Sequence, residues 1–322
     1  VLNPNPTSDI ILLHYENTNY MKILITGATG LIGSELGPKL IELGHSLVVV
    51  TRNKNKALEN LTFFADIIEC DLNTTPLYPE SFTGVDAIIN LAGETVDGRW
   101  TAKKKKQILD SREQTSTNLL VNCPSTVKTI VTASAQGFYG ERGEEELTET
   151  STSGSGFLAE VCKAWESKFI KHQQQNSGQR LVILRLGMVL SKKGGALKKL
   201  ISIFQKNAGS TLGCGKQWMS FASLEDVTRV FIEAVTNEKY SGLINVSNNA
   251  PLRNSEFTKS LCKKLNVIQL PRVPSFVLKL LLGEMSELVL TSNHVKPTKL
   301  NELGFKFKDD FLDAILDREL KA

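Results

Sequence analysis

Short apolar runs alternate along the chain with longer stretches in which apolar residues recur every three to four positions. Runs at 22–26, 46–51, 67–70, 87–91, 129–134, 181–185 and 243–246 are rich in Val, Ile, Leu and Thr. Most are apolar throughout rather than alternating, the pattern of strands covered on both faces. Between them the period lengthens. Leu31, Ile32, Leu36, Leu40, Ile41 and Leu43 form a stripe that stops at Gly44, a residue suited to the position just past a helix end. Pro38 inside that stripe removes one backbone hydrogen bond and predicts a kink. Ser223 and Asp226 have capping-box spacing ahead of a helix over 224–236. This alternation predicts an α/β fold, a Rossmann-type doubly wound parallel sheet. After about residue 248 the strand signal fades, and helical patterns over 255–265, 275–282 and 309–320 predict a smaller, mainly helical C-terminal lobe.

Composition adds mainly exclusions. The 322 residues are 41% apolar and 22% charged, ordinary for a soluble globular protein, and a net charge of +4 is too small to indicate a nucleic-acid or membrane partner. The longest apolar run, Phe276 to Leu282, is too short to span a bilayer, is broken by Lys279, and reads as a buried helix. Cys70, Cys123, Cys162, Cys214 and Cys262 are odd in number and scattered, which argues against a disulfide framework or a metal site and fits a reducing, cytoplasmic setting. Residues 1–20 lack the features of a secretory signal and read as a leader or extension outside the fold. Should they be the remnant of a targeting segment, an organelle stroma or matrix stays open. Oligomeric state is not legible.

Chemistry enters at Gly27, Gly30 and Gly33, a G-x-x-G-x-x-G run with a predicted strand before it and a predicted helix after it. One glycine permits the tight turn, one lets backbone approach a pyrophosphate, and one lets helix and strand pack closely. The N–H groups around Thr29, Gly30, Leu31, Ile32 and Gly33 then face the phosphates from a helix N-terminus. The sequence therefore predicts a dinucleotide site. NAD-specific sites place Asp or Glu about 20 residues past the loop, at the end of the second strand. Here the chain reads Val50-Thr51-Arg52-Asn53, with no carboxylate, and Arg52 suits a 2′-phosphate. NADP(H) is thus favoured over NAD(H). Asp71 and Leu72 are expected beside the adenine, and Leu91, Ala92 and Gly93 along the pyrophosphate and nicotinamide side. Arg185 and Gly187, ending the sixth strand, are expected at the nicotinamide pocket with Ser134. On this reading the nucleotide-binding core covers residues 21–190 and 222–247, and the substrate-side lobe covers 191–221 and 248–322.

Thr26-Gly-Ala-Thr-Gly-Leu-Ile-Gly33, Asn90-Leu-Ala-Gly93 and Ser134-Ala-Gln-Gly-Phe-Tyr-Gly140 stand in the order found in short-chain dehydrogenase/reductases of the extended and atypical kind. With Arg99-Trp100-Thr101, Ser111-Arg112, residues 157–166, 184–195 and 212–220, and the tail from Gly283-Glu284 to Leu303-Gly-Phe305, the chain resembles the nucleotide-sugar-epimerase-like family that carries a C-terminal domain of unknown function. The resemblance implies oxidoreductase or epimerase-like chemistry on a small, sugar-like substrate. It also implies a Ser and a Tyr-x-x-x-Lys pair, with Tyr as acid/base and Lys lowering its pKa. This sequence departs from that pattern. Leu158 stands in the tyrosine slot, Cys162 in the lysine slot, and Ala135 in the serine slot beside Ser134.

Substitute groups each carry two readings. Ser134, Tyr139, Glu160 and Cys162 are candidate catalytic residues, or packing and surface residues. Arg99, Trp100 and Arg112 are candidates for gripping an anionic substrate, or partners of structural groups. Gln217 and Trp218 lie in a Gly-rich loop between the two parts and are candidates for touching substrate. Two functions follow: an NADP(H)-dependent enzyme lacking the usual pair, or a silent NADP(H)-binding regulator, which some relatives' association with cell or plastid division would fit.

Overall fold

Hydrophobic patterning translates almost directly into strands. In the computed structural model, which describes residues 20–321, the central sheet comprises β1 (Lys22–Thr26), β2 (Ser46–Thr51), β3 (Asp66–Glu69), β4 (Ala87–Asn90), β5 (Thr129–Ala135), β6 (Arg180–Leu186) and β7 (Gly242–Val246). Their order is β7-β6-β5-β4-β1-β2-β3, with every neighbouring pair parallel. The order reverses between β1 and β4, so the carboxyl ends of these two strands open the crevice where such sheets take ligands. Ile23, Leu24, Ile25, Ile88, Ile89 and Leu184 are fully buried, which explains why their strands show no polar alternation.

Helices α1 (Leu31–Glu42), α2 (Lys54–Asn60), α3 (Ala102–Leu120), α4 (Phe157–Gln175) and α5 (Leu224–Thr236) cross over between strands. Leu36 and Leu40 carry the buried face of α1, and Pro38 sits inside that helix without ending it. Gly44 follows its C-cap at φ +88° and returns its N–H to the Ile41 carbonyl at 2.8 Å, as the glycine stop predicts. Ser223 Oγ accepts the Asp226 N–H at 3.1 Å to start α5. The buried Asp226 carboxylate also takes the N–H groups of Lys308 and Asp309, tying the C-terminal tail to the sheet's helix layer.

Beyond β7 come α6 (Asn254–Leu265), α7 (Ser275–Leu282) and α8 (Leu312–Lys321). A second apolar cluster joins Leu190, Leu197, Phe204 and Phe221 to Phe257 and Leu261 of α6 and to Leu312, Ile315 and Leu316 of α8. Strand pairing does not end at residue 248. Leu252–Arg253, Leu270–Val273 and His294–Val295 pair with Trp218–Met219, Ser210–Leu212 and Glu146–Leu147, in pieces too short to show a period. The expectation of a buried helix at Phe276 to Leu282 is corrected. Leu278 is buried, but Phe276, Leu280 and Leu281 are 72%, 81% and 70% exposed. An eight-residue helix that is apolar all round can lay only one stripe against its neighbours. Among the described residues no helix is long and apolar enough to cross a membrane. The leader reading of residues 1–20 falls, except for Tyr20, outside the described residues.

Candidate cofactor cleft

The turn between β1 and α1 is shaped by what its glycines leave out. Gly27 has φ +70°, and a Cβ there would lie 2.8 Å from the Leu91 carbonyl carbon and oxygen at the end of β4. A Cβ on Gly33 would lie 2.4 Å from the Gly27 carbonyl oxygen, so only glycine lets α1 start this close to β1. Gly30 caps α1 with no side-chain hydrogen bond, leaving the first-turn N–H groups unclaimed by side chains. Donors at a helix N-terminus, with its positive dipole end, form an anion cradle.

A polar ladder holds the strand ends behind the turn in register. Thr26 lies opposite Asn90, and Asn90 opposite Thr132, on three neighbouring strands. Thr26 Oγ1 donates to Asn90 Oδ1 at 2.7 Å, and Asn90 Nδ2 donates to Thr132 Oγ1 at 3.1 Å. Thr26 Oγ1 in turn accepts the N–H groups of Leu91 and Ala92, each at 3.2 Å. All three side chains are buried, so their partners are obligatory, and the ladder fixes the backbone that turns into the crevice. Thr26 and Asn90 each end their strands with a polar residue, which is the ladder's signal in the sequence.

A cleft of about 800 Å³ opens at this switch point. Gly27, Thr29 and Gly30 form its floor, Thr51 and Arg52 one end, Asp71 and Leu72 a side, and Leu91, Ala92 and Gly93 the strand-end wall. Leu31, Ile32 and Gly33 support the floor from the first turn of α1. Arg52 is exposed at the rim. Sequence reasoning missed Lys56, one turn into α2, and Asn73, Gln114 and Thr115, which also line the cleft. Asp71 shapes its own corner by accepting the Asn73 backbone N–H at 3.1 Å and side-chain amide at 2.8 Å. The glycine cradle, basic rim and switch-point cleft fit a dinucleotide.

The other expected site residues are not in the cleft's lining, although Arg112 packs against Gly93 at its wall. Ser134 donates to Glu166 Oε1 at 2.6 Å; Arg185 grips both Glu166 oxygens at 2.9 and 2.8 Å. Arg185 Nη1 donates to the Tyr139 hydroxyl at 3.1 Å, and that hydroxyl reaches Asn245 Oδ1 at 2.7 Å and the Thr148 carbonyl at 3.0 Å. The Arg185 guanidinium also lies 3.4 Å from the centre of the Phe138 ring. With Arg185 only 2% exposed, this is a closed network, and burial pushes the Tyr139 phenol pKa up. Ser134 and Arg185, expected at a nicotinamide pocket, do not line this cleft; a buried guanidinium needs its carboxylate, and Glu166 engages both side chains. Gly187 packs against the Ser220 backbone, where a Cβ would lie 2.9 Å from the carbonyl oxygen.

Cys162 contacts the Ala135 carbonyl at 3.7 Å, and burial pushes its thiol up to about 11. Glu160 is exposed on α4. Arg99 is exposed, whereas Trp100 is buried edge-on to Phe157 and donates Nε1 to the Val96 carbonyl at 2.8 Å. Gln217 is buried, its amide given to the Leu212 and Val289 carbonyls at 3.0 Å each. Trp218 stacks on His294 at 4.1 Å, carries Arg253 on its ring at 3.7 Å, and donates to Glu144. Gln217 and Trp218 thus staple loops together. Among the described residues no group of three His, Cys, Asp or Glu side chains could hold a metal ion.

Residues 23–247 match the NAD dependent epimerase/dehydratase family, and residues 273–319 match a domain of unknown function, DUF1731. The chain is 36% identical to the chloroplastic epimerase family protein SDR39U1 homolog of Arabidopsis thaliana, over 97% of this chain and 90% of that protein. The human epimerase family protein SDR39U1, solved with NADPH, shares the fold at TM-score 0.82 and 24% identity, over 94% of this chain and 99% of the other. A nucleoside-diphosphate sugar epimerase from Corynebacterium glutamicum aligns at TM-score 0.75 and 27% identity, over 98% of this chain and 62% of the other. With a family match across the whole sheet and a relative this similar end to end, the chain belongs to the NAD-dependent epimerase/dehydratase family.

Proposed function

We propose that the chain is an NADP(H)-dependent oxidoreductase or epimerase-like enzyme, acting on a small anionic or sugar-like substrate. One observation carries the cofactor choice: the end of β2 presents Arg52, with Lys56 beside it in the cleft lining and no carboxylate at the strand end. Two cations there complement a 2′-phosphate, and a guanidinium can grip it through two parallel hydrogen bonds. The presence of NADPH in the human relative's structure supports the same choice. Gly27, Gly30 and the first turn of α1 would hold the pyrophosphate. Asp71 and Leu72 would face the adenine. The bound nicotinamide would supply or accept a hydride.

The accompanying proton does not come from Ser134 or Tyr139 on this reading. Both hydroxyls are committed to buried partners, and the tyrosine and lysine slots of the family hold Leu158 and Cys162. That observation also favours a second reading, in which the cleft holds NADP(H) for a regulatory purpose without turnover. A screen of NADPH oxidation across nucleotide sugars, quinones and small aldehydes separates the two. Enzyme function predicts saturable oxidation with at least one class, retained in Tyr139→Phe. A flat response throughout, with NADPH bound tightly, favours the regulatory reading.

A further inference from the structure

Arg112 is a half-buried arginine with no carboxylate partner among the described residues. The other arginines that are at least half-buried among the described residues have either a carboxylate within ion-pair distance or, in Arg180, acceptors on both terminal nitrogens. Arg142, Arg185, Arg229, Arg253 and Arg318 pair with carboxylates. Arg180 places both terminal nitrogens on carbonyl or hydroxyl oxygens around the end of α5. Arg112 has neither arrangement. Its Nη1 alone is used, toward the carbonyls of Glu94 at 3.0 Å and Ile108 at 3.1 Å, and more weakly toward Ser111 Oγ at 3.4 Å. Nε and Nη2 have no acceptor among the described residues, and the nearby Glu94 carboxylate is taken by Lys104 at 2.7 Å.

The guanidinium is nonetheless held in place. It lies 5.2 Å from the centre of the Trp165 ring on α4, and a Cβ on Gly93 would come within 3.3 Å of its Cζ. Glycine at position 93 therefore leaves room for this cation directly against the end of β4. Gly93, Glu94 and Ser111 line the cleft, and Arg112 packs directly behind them. On its other side Arg112 acts electrostatically on Cys162, which stands in the family's lysine slot. A guanidinium with open donors and no carboxylate within ion-pair distance is available to an anionic ligand.

We propose that Arg112 is an anion receptor at the inner end of the cofactor cleft, taking a phosphate or carboxylate oxygen of a ligand on its free Nε–Nη2 edge. This deepens the NADP(H) reading and rests on it for the cleft's identity. Two sources share that chemistry: the cofactor's own nicotinamide-side phosphate, and an anionic group on a second ligand.

The test uses the full chain as wild type, Arg112→Met and Arg112→Lys. Three probes are titrated: NADPH, adenosine 2′,5′-bisphosphate (which lacks the nicotinamide half), and inorganic phosphate added to NADPH-saturated protein. Arg112→Met is expected to weaken NADPH or phosphate by about tenfold or more, with the bisphosphate unaffected and partial recovery in Arg112→Lys. A loss confined to NADPH assigns the anion to the cofactor. A loss confined to phosphate assigns it to a second ligand. The ligand-free Met variant should melt at or above the wild-type temperature, because it sheds an unpaired charge. Unchanged affinity for both NADPH and phosphate overturns the proposal. So does an equal loss for NADPH and the bisphosphate together with a lower melting temperature, the behaviour of a scaffold residue. If wild type binds neither nucleotide, the cofactor reading fails separately, and phosphate bound by wild type but lost in Arg112→Met would still support the receptor.

Discussion

The two ends of the region around β4 treat their polar groups in opposite ways. At the glycine turn, helix N–H groups, Arg52 and Lys56 face an open cleft with few protein partners. Around Ser134, Tyr139, Glu166 and Arg185, every charge and hydroxyl is spent on another protein group in a sealed network. Unpaired groups on a rigid scaffold are ready for a ligand, whereas mutually satisfied ones hold elements together. The contrast separates binding from fold support among residues that look equally chemical in the sequence. It also explains how a family member can keep its cofactor cleft while the usual proton-transfer positions carry Leu158 and Cys162.

The contrast can be broken first at Glu166. Removing one partner of a buried ion pair costs about 3–5 kcal/mol, so Glu166→Ala should lower the thermal midpoint more than any other change in this region. An unchanged melting curve would mean that the network is not structural. Tyr139→Phe takes the hydroxyl from Asn245, Thr148 and Arg185, and should cost about 1–3 kcal/mol of stability. It should leave NADPH affinity unchanged by titration; a selective loss of affinity would return Tyr139 to the ligand site. Gly27→Ala tests the open end. Left-handed backbone costs a non-glycine residue about 1–2 kcal/mol, the clash with the Leu91 carbonyl adds to that loss of stability, and the resulting shift of the turn should weaken NADPH more than tenfold. Equal affinity would show that the turn does not touch the cofactor. Smallest of all is the effect expected at Cys162. Its thiol, pushed up to about 11, should stay unlabelled by iodoacetamide at neutral pH while the exposed Cys214 reacts. Rapid labelling of Cys162 in peptide maps would show an open inner end.

Much of the open end was legible in advance. The glycine spacing, the strand before it and Arg52 after β2 are local features, each dictated by backbone geometry or charge within a few residues. Lys56 escaped notice because its place in the cleft depends on how α2 turns back over β2. Asn73, Gln114 and Thr115 reach the cleft only through the packing of α3 beside the β3 loop. At the sealed end, sequence position pointed to the right strands but did not reveal the carboxylate that Ser134 and Arg185 share. Ser134 and Arg185 stand one residue before the ends of β5 and β6, and both are bonded to Glu166, more than thirty residues from Ser134. Partners that distant leave no periodic trace. The α7 segment misled for a related reason, since apolar composition reports what a helix can bury and not what its neighbours cover.

The central claim is that the open end is built for the phosphorylated cofactor. Calorimetric titration of NADPH and NADH into wild type and Arg52→Asp tests it most directly. The account predicts that wild type binds NADPH at least about tenfold more tightly than NADH, and that Arg52→Asp erases most of the difference by weakening NADPH alone. Equal affinities in wild type, or parallel losses for both nucleotides in the variant, would contradict it.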